Sequence, residues 1–264
     1  MGSLGGGSGK WVRRFHAAPT GKIRLFCFPH AGGSASYYFP MSRSFDGRDV
    51  EVLAVQYPGR QDRRGEPCVT DLAVMADLIV EALDEWTDMP FAFWGHSMGA
   101  LLAFEVTRRL EALGRSAPLL LFASGRRAPS RYRDGRVHLL DDAGLTAELT
   151  RLGGTDPRLL AEPDLRAAIL PTTRADYQAV ETYVDIERTP VTCPITVVVG
   201  DSDPDVTLEE AADWATHTTG RFDLKVLPGD HFYLESRRRE VLAIITGSLK
   251  RVLLPIATAE GQAW

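Results

Sequence analysis

Phe91-Ala92-Phe93-Trp94-Gly95-His96-Ser97-Met98-Gly99-Ala100 is the stretch on which the reading of this chain turns. Phe91–Trp94 is an apolar run of strand length, and the residues from Ala100 to Leu113 continue with helical spacing to a stop at Gly114. Between them, Gly95-His96-Ser97-Met98-Gly99 fits G-x-S-x-G in the strand–turn–helix context that the motif requires. A serine on such a tight turn projects its Oγ from the sheet edge. Its flanking glycines let neighbouring backbone approach without Cβ clashes. The helix N-terminus that follows offers unpaired N–H groups and a positive dipole end to a developing oxyanion. Ser97 is therefore the candidate nucleophile.

Working outward, strand-length apolar runs recur at Ile23–Phe28, Val50–Val55, Leu119–Ala123, Ile195–Val199 and Phe222–Leu227. Several lack clean alternation, as strands buried on both faces do. Helical patterns fall between them. Thr70 is placed to cap a helix carrying Leu72, Met75, Ile79, Leu83 and Trp86. Thr207-Leu208-Glu209-Glu210 reads as a capping box. A last helix carries Val241, Ile244, Ile245, Leu249 and Val252 and is expected to end at Pro255. The stretch from about 126 to 190 holds no strand pattern. It has helix starts at Asp142 and Asp156-Pro157, a stop at Gly153-Gly154, and Pro171 as a break or a new start. This predicts an α/β domain over 11–264, a mostly parallel sheet flanked by helices, with a helical lid inserted at about 126–190.

A hydroxyl needs a base at neutral pH. His231 follows the strand pattern Phe222–Leu227 through Pro228-Gly229-Asp230, so it sits at a strand's C-terminal end, and it is the last histidine in the chain. That position fits the order Ser…Asp…His of the α/β-hydrolase fold. The acid should follow Ile195–Val199, where Gly200-Asp201-Ser202-Asp203-Pro204-Asp205 offers three carboxylates. In this fold the strand commonly ends G-x-x-D, which selects Asp203; Asp201 is the runner-up and Asp205 a third choice. The acid orients the imidazole and stabilises its cation. For the oxyanion hole, one donor is the N–H of Met98. The other is assigned to Ala31 in the glycine-rich loop Pro29-His30-Ala31-Gly32-Gly33-Ser34. His30 either braces this loop or simply packs.

A net charge of -5 does not suggest nucleic acid as a partner. Cys27, Cys68 and Cys193 are too dispersed for a disulfide framework or a zinc knuckle. No apolar run reaches membrane-spanning length, and no secretory signal is recognisable at the N-terminus, so a cytoplasmic protein is expected. MGSLGGGSGK, residues 1–10, reads as a flexible segment, an expression scar or a native start. Nothing in the sequence demands more than a monomer.

Phe26-Cys27-Phe28-Pro29-His30-Ala31-Gly32-Gly33, Tyr57-Pro58-Gly59-Arg60, Gly95-His96-Ser97-Met98-Gly99-Ala100 and Pro228-Gly229-Asp230-His231 together resemble the type II thioesterases, the stand-alone editing enzymes of polyketide and nonribosomal peptide synthases. In the last motif Asp230 stands where the family commonly has Gly. The resemblance runs from about Trp11 to the last helix. It implies hydrolysis of acyl thioesters from the phosphopantetheine arm of acyl or peptidyl carrier proteins, through a Ser-His-Asp acyl-enzyme, with no metal or other cofactor. It also implies a lid over an acyl chamber, for which Leu170, Tyr177, Val180, Tyr183 and Val184 are lining candidates, against the alternative of simple packing. Since carrier proteins are acidic, Arg126-Arg127, Arg131, Arg133 and Arg60-Arg63-Arg64 are docking candidates. A general carboxylesterase or lipase, an excised terminal thioesterase domain and a non-catalytic carrier-binding scaffold are the competing readings.

Overall fold

Seven strands form one sheet in the order β1-β3-β2-β4-β5-β6-β7: β1 Val12–Arg14, β2 Ile23–Phe28, β3 Val50–Val55, β4 Phe91–His96, β5 Leu121–Ser124, β6 Ile195–Gly200 and β7 Phe222–Leu227. All neighbours pair in parallel except β1, which runs antiparallel to β3. The structure is a computed structural model and describes residues 7–261; residues 1–6 of the expected flexible start lie outside the described residues, and Gly7–Lys10 form a short 3-10 turn.

The apolar runs are continuous because both sheet faces are covered. In β2, Phe26 and Phe28 join one core cluster, and Leu25 and Cys27 join the other. The first cluster takes α2 (Leu72–Leu83) and α3 (Met98–Ala112); the second takes α1 (Phe39–Ser44) and the long C-terminal helix. The segment expected to form a lid contains α4 (Asp142–Leu152), α5 (Pro157–Ala161) and α6 (Pro163–Glu181), with no strand among its described residues. After β6 come α7 (Leu208–Ala212), then α8 (Tyr233–Ser236) and α9 (Arg238–Gly261).

Three local expectations are corrected. Asp71, not Thr70, caps α2: its carboxylate accepts from the N–H groups of Ala73 (2.8 Å) and Val74 (3.0 Å). Pro171 neither breaks nor begins a helix; it lies inside α6. Its ring removes one backbone donor, but Pro171 and Ala167 are both exposed, so water can take up the freed carbonyl. Finally, α9 runs past Pro255 to Gly261. The capping box at Thr207 and Glu210 forms as expected. No helix of the described residues is long and apolar enough to cross a membrane.

Candidate active site

Ser97 sits between the end of β4 and the start of α3 with φ 54° and ψ −115°, a conformation that favours glycine. Neighbouring backbone dictates the bend. The Ser97 N–H donates to the Ser124 carbonyl of β5 at 2.8 Å. A Cβ on Gly95 would collide with the Gly99 carbonyl oxygen, and one on Gly99 with that of Phe28. The two glycines of the motif are thus required by close packing of β2, β4 and α3, and strain is held at the nucleophile by the surrounding fold.

His231 follows β7 and is buried; its Nδ1–H donates to Asp203 Oδ2 at 2.8 Å. This fixes the tautomer with Nε2 free to take a proton. Asp201, the alternative acid, is exposed and instead accepts from the Gly229 N–H (3.0 Å) and the Ser202 hydroxyl (2.9 Å). Asp205 accepts from Arg151 at 2.9 Å. The structure therefore brings Asp203, and neither rival, to His231. Ser97 and His231 line a common cavity of about 50 Å³ with Ala31, Met98, Arg126 and Tyr177, although no hydrogen bond joins the two among the described residues. The N–H groups of Ala31 and Met98 also find no acceptor among the described residues, whereas the Gly32 N–H donates to Asp176 at 2.7 Å. Gly32 is thereby engaged, and Ala31 and Met98 remain available to an oxyanion.

A second space of about 20 Å³ touches Ser97 and His231 and is walled by His30, Leu149, Thr155 and Phe232. It shares His30, Gly154 and Thr155 with a groove of about 530 Å³ that opens past Gly33, Arg60, Arg64 and Ile169. The nucleophile thus lies between two small spaces, one of which shares walls with the larger outer groove.

His96 forms a directional chain behind this site. Its Nδ1 lies 2.9 Å from Ser124 Oγ, which lies 2.6 Å from the Tyr233 hydroxyl, which donates to the Val198 carbonyl at 3.0 Å. Since the tyrosine proton is committed to Val198, Ser124 donates to Tyr233 and His96 Nδ1–H donates to Ser124. His96 is then neutral, with an unpartnered Nε2. Burial, followed by repulsion from His231 and His30, pushes its pKa well below the ordinary value. His30 is packed edge-on against Tyr37 and Phe232; burial, then His231 and Arg60, push it down to about 3. The unfolded chain takes up protons at both imidazoles below about pH 6.5, and the folded chain does not. Stability contributed this way is intact above that pH and is lost as pH falls from 6.5 toward 3. The slope is about 1.4 kcal/mol per pH unit for each ring. A Tm profile should therefore decline between pH 6.5 and 5, before most carboxylates titrate, and His30→Asn should flatten that decline. An unchanged slope in the variant contradicts the assignment.

The expected docking arginines are mostly committed within the fold. Arg60 is buried and paired in two hydrogen bonds with Asp176 (2.7 and 2.8 Å), and it also donates to the Gly33 carbonyl. Arg63 is buried against Glu66, Arg131 bonds Asp213 and Glu209, and Arg133 bonds Glu210. Arg64 alone of these is exposed with no ion pair among the described residues, at the mouth of the outer groove. Arg126 lies in the inner cavity. Of the lid residues, Tyr177 and Val180 line the inner cavity. Leu170 packs in the lid's own core, Val184 is exposed, and Tyr183 packs on the body with its hydroxyl on Glu105. Asp176 was not singled out from sequence; its one signal was a carboxylate among small and apolar residues of a helix. No cluster of potential metal ligands occurs among the described residues.

A family model described as a thioesterase domain matches residues 23–249. Thioesterase PikA5 from Streptomyces venezuelae is 47% identical over 243 residues, covering 92% of this chain and 86% of that protein. A probable cadicidin biosynthesis thioesterase from Streptomyces griseus is 50% identical over 225 residues, covering 85% of this chain and 62% of the relative, less than two thirds of its length. The solved structure of the type II thioesterase BorB from the borrelidin biosynthetic cluster superposes with a TM-score of 0.83 at 45% identity, covering 90% of this chain and 96% of that one.

Proposed function

The chain belongs to the thioesterase family, and from that premise we propose that it hydrolyses acyl thioesters on the phosphopantetheine arms of acyl or peptidyl carrier proteins. Its task in this reading is to clear aberrant or stalled acyl groups from a polyketide or nonribosomal peptide synthase. It works as a cytoplasmic monomer and needs no cofactor. The observation that carries the reading is the setting of Ser97: a hydroxyl on a strained turn shares small cavities with His231, which Asp203 holds, and one of these shares walls with a large groove.

The chemistry follows from the parts. Ser97 Oγ attacks the thioester carbonyl carbon while His231 Nε2 takes its proton, and Asp203 stabilises the imidazolium. The carbonyl oxygen, now anionic, accepts from the N–H groups of Ala31 and Met98; one such donor is typically worth a factor of about 100 to 1,000 in turnover. The carbon–sulfur bond breaks and the thiol leaves with the proton from His231. Water then attacks the acyl-serine, giving its proton to His231, and the acid departs as Ser97 regains its hydrogen. The outer groove suits the long thiol arm and the inner cavity a short acyl group.

The test compares kcat/KM for one acyl group on a carrier protein, on free coenzyme A and in an aryl ester. The carrier thioester should lead by about tenfold or more, since only it engages both groove and outer surface. An aryl ester that outpaces the carrier substrate assigns the chain to general ester hydrolysis instead.

A further inference from the structure

The inner cavity contains a charge that the mechanism does not use. Arg126 follows β5 by two residues and lines the cavity together with Ser97, Met98 and His231. Ser124, at the end of β5, holds the Ser97 N–H, so Arg126 stands two residues along from the nucleophile's own hydrogen-bond partner. Adjacent strands lie about 4.8 Å apart, which puts an arginine side chain at this position within reach of the first few atoms of an acyl group on Ser97.

The most enclosed arginine side chains are answered by carboxylates: Arg60 by Asp176, Arg63 by Glu66, Arg108 by Glu105 and Asp185. Half-buried Arg126 is not. Its Nε is sealed from solvent without an acceptor, and no ion pair engages its guanidinium among the described residues. Asp205 lines the same cavity but is held by Arg151. Arg127 lies beside Arg126 and spends its Nε–H on the Arg131 carbonyl. Arg126 is half-buried with its Nε–H sealed, and the fold offers it no carboxylate. The acceptors left to it are water and whatever enters the cavity. Burial, then repulsion from Arg127, push the Arg126 pKa down to about 9, the direction expected while that acceptor is missing.

We infer that Arg126 reads an oxygen on the third carbon of a short acyl group, so that 3-oxo, 3-hydroxy or malonyl-type thioesters are favoured over saturated chains of the same length. The inference rests on the acyl group of the proposed substrate entering the cavity at Ser97. The space of about 50 Å³ admits a few heavy atoms beyond the carbonyl, and the guanidinium is the donor set that a keto oxygen, a hydroxyl or a carboxylate would satisfy. A saturated chain displaces water from the guanidinium without replacing the acceptor, which is the larger penalty in discrimination by hydrogen bonding.

The experiment measures kcat/KM for the N-acetylcysteamine thioesters of butanoate, 3-oxobutanoate, 3-hydroxybutanoate and malonate, in the full chain and in Arg126→Leu and Arg126→Gln. Arg126→Leu should lower turnover of the oxygenated substrates by about 10- to 100-fold and change butanoyl turnover by less than about threefold. Arg126→Gln, which keeps donors but not charge, should lie between. The ratio of variant to unaltered protein cancels intrinsic reactivity. The malonyl substrate loses most if a carboxylate is the natural ligand, and the 3-oxo substrate if a neutral oxygen is. Tm should not fall in Arg126→Leu, because the change removes a half-buried charge that no carboxylate holds; if that variant does not fold, Arg126→Gln decides by the same ratios. Equal effects on all four substrates overturn the inference, as does a preference of the unaltered protein for butanoate. If the unaltered protein cleaves none of the four and no carrier-bound thioester either, the proposed function fails and this inference fails with it.

Discussion

Ser97→Ala should leave less than about one part in 10⁴ of the thioester hydrolysis rate. The loss is this large because Oγ forms the bond on which every later step depends. What persists comes from Ala31, Met98 and the binding of substrate around a missing nucleophile. Alanine retains the Cβ, so it also retains the positive φ of 54° and the strain that goes with it. Folding stability should therefore stay close to that of the unaltered protein. Ser97→Gly is equally inactive, but it relieves the bend and should gain about 1 kcal/mol. Thiol release in the steady state and a denaturant titration check both halves. An alanine variant with more than a few per cent of the original rate removes Ser97 from the mechanism.

Asp203→Asn should lower kcat by about 10⁴ while KM moves little. The amide has nearly the volume of the carboxylate, but it can present its NH₂ to His231 Nδ1 and so impose the wrong tautomer, and it cannot stabilise an imidazolium. Asp201→Asn supplies the control from two residues away. Asp201 caps the turn at Gly229 and Ser202 from an exposed position, so its replacement should cost at most severalfold in rate. The side-by-side pair separates orientation of the base from mere proximity of negative charge. If the Asp201 variant is the crippled one, the acid has been misassigned.

Much of the architecture is legible because burial writes directly into the sequence. β2, β3 and β7 have the expected limits. Both-face burial marks β2 and β3, whereas β7 is a half-buried edge strand in which Phe222 and Leu224 alternate with Asp223 and Lys225. β1 escapes notice: three residues, Val12–Arg14, one of them buried, carry too little pattern to register. Thr70 and Asp71 are both good caps, and choosing between them depends on which one takes the extended backbone. Pro171 misleads because a helix tolerates a missing donor where water replaces the bond. Ser97, His231 and Asp203 each follow a strand, so the order of elements brings them to one edge of the sheet. The internal commitments of the arginines are not legible at all. Arg60 and Asp176 are 116 positions apart, and nothing local distinguishes a buried arginine from one that greets an acidic partner.

That pairing also constrains how a substrate can get in. Through Asp176, the helix α6 grips both Arg60 and the amide beside Ala31, and Thr172 on the same helix bonds the Gly59 carbonyl. Lifting α6 would tear at the loop meant to cradle the oxyanion, and it would strand two opposite charges. Any widening of the entrance therefore has to come from walls other than α6, with the cradle beneath it left intact.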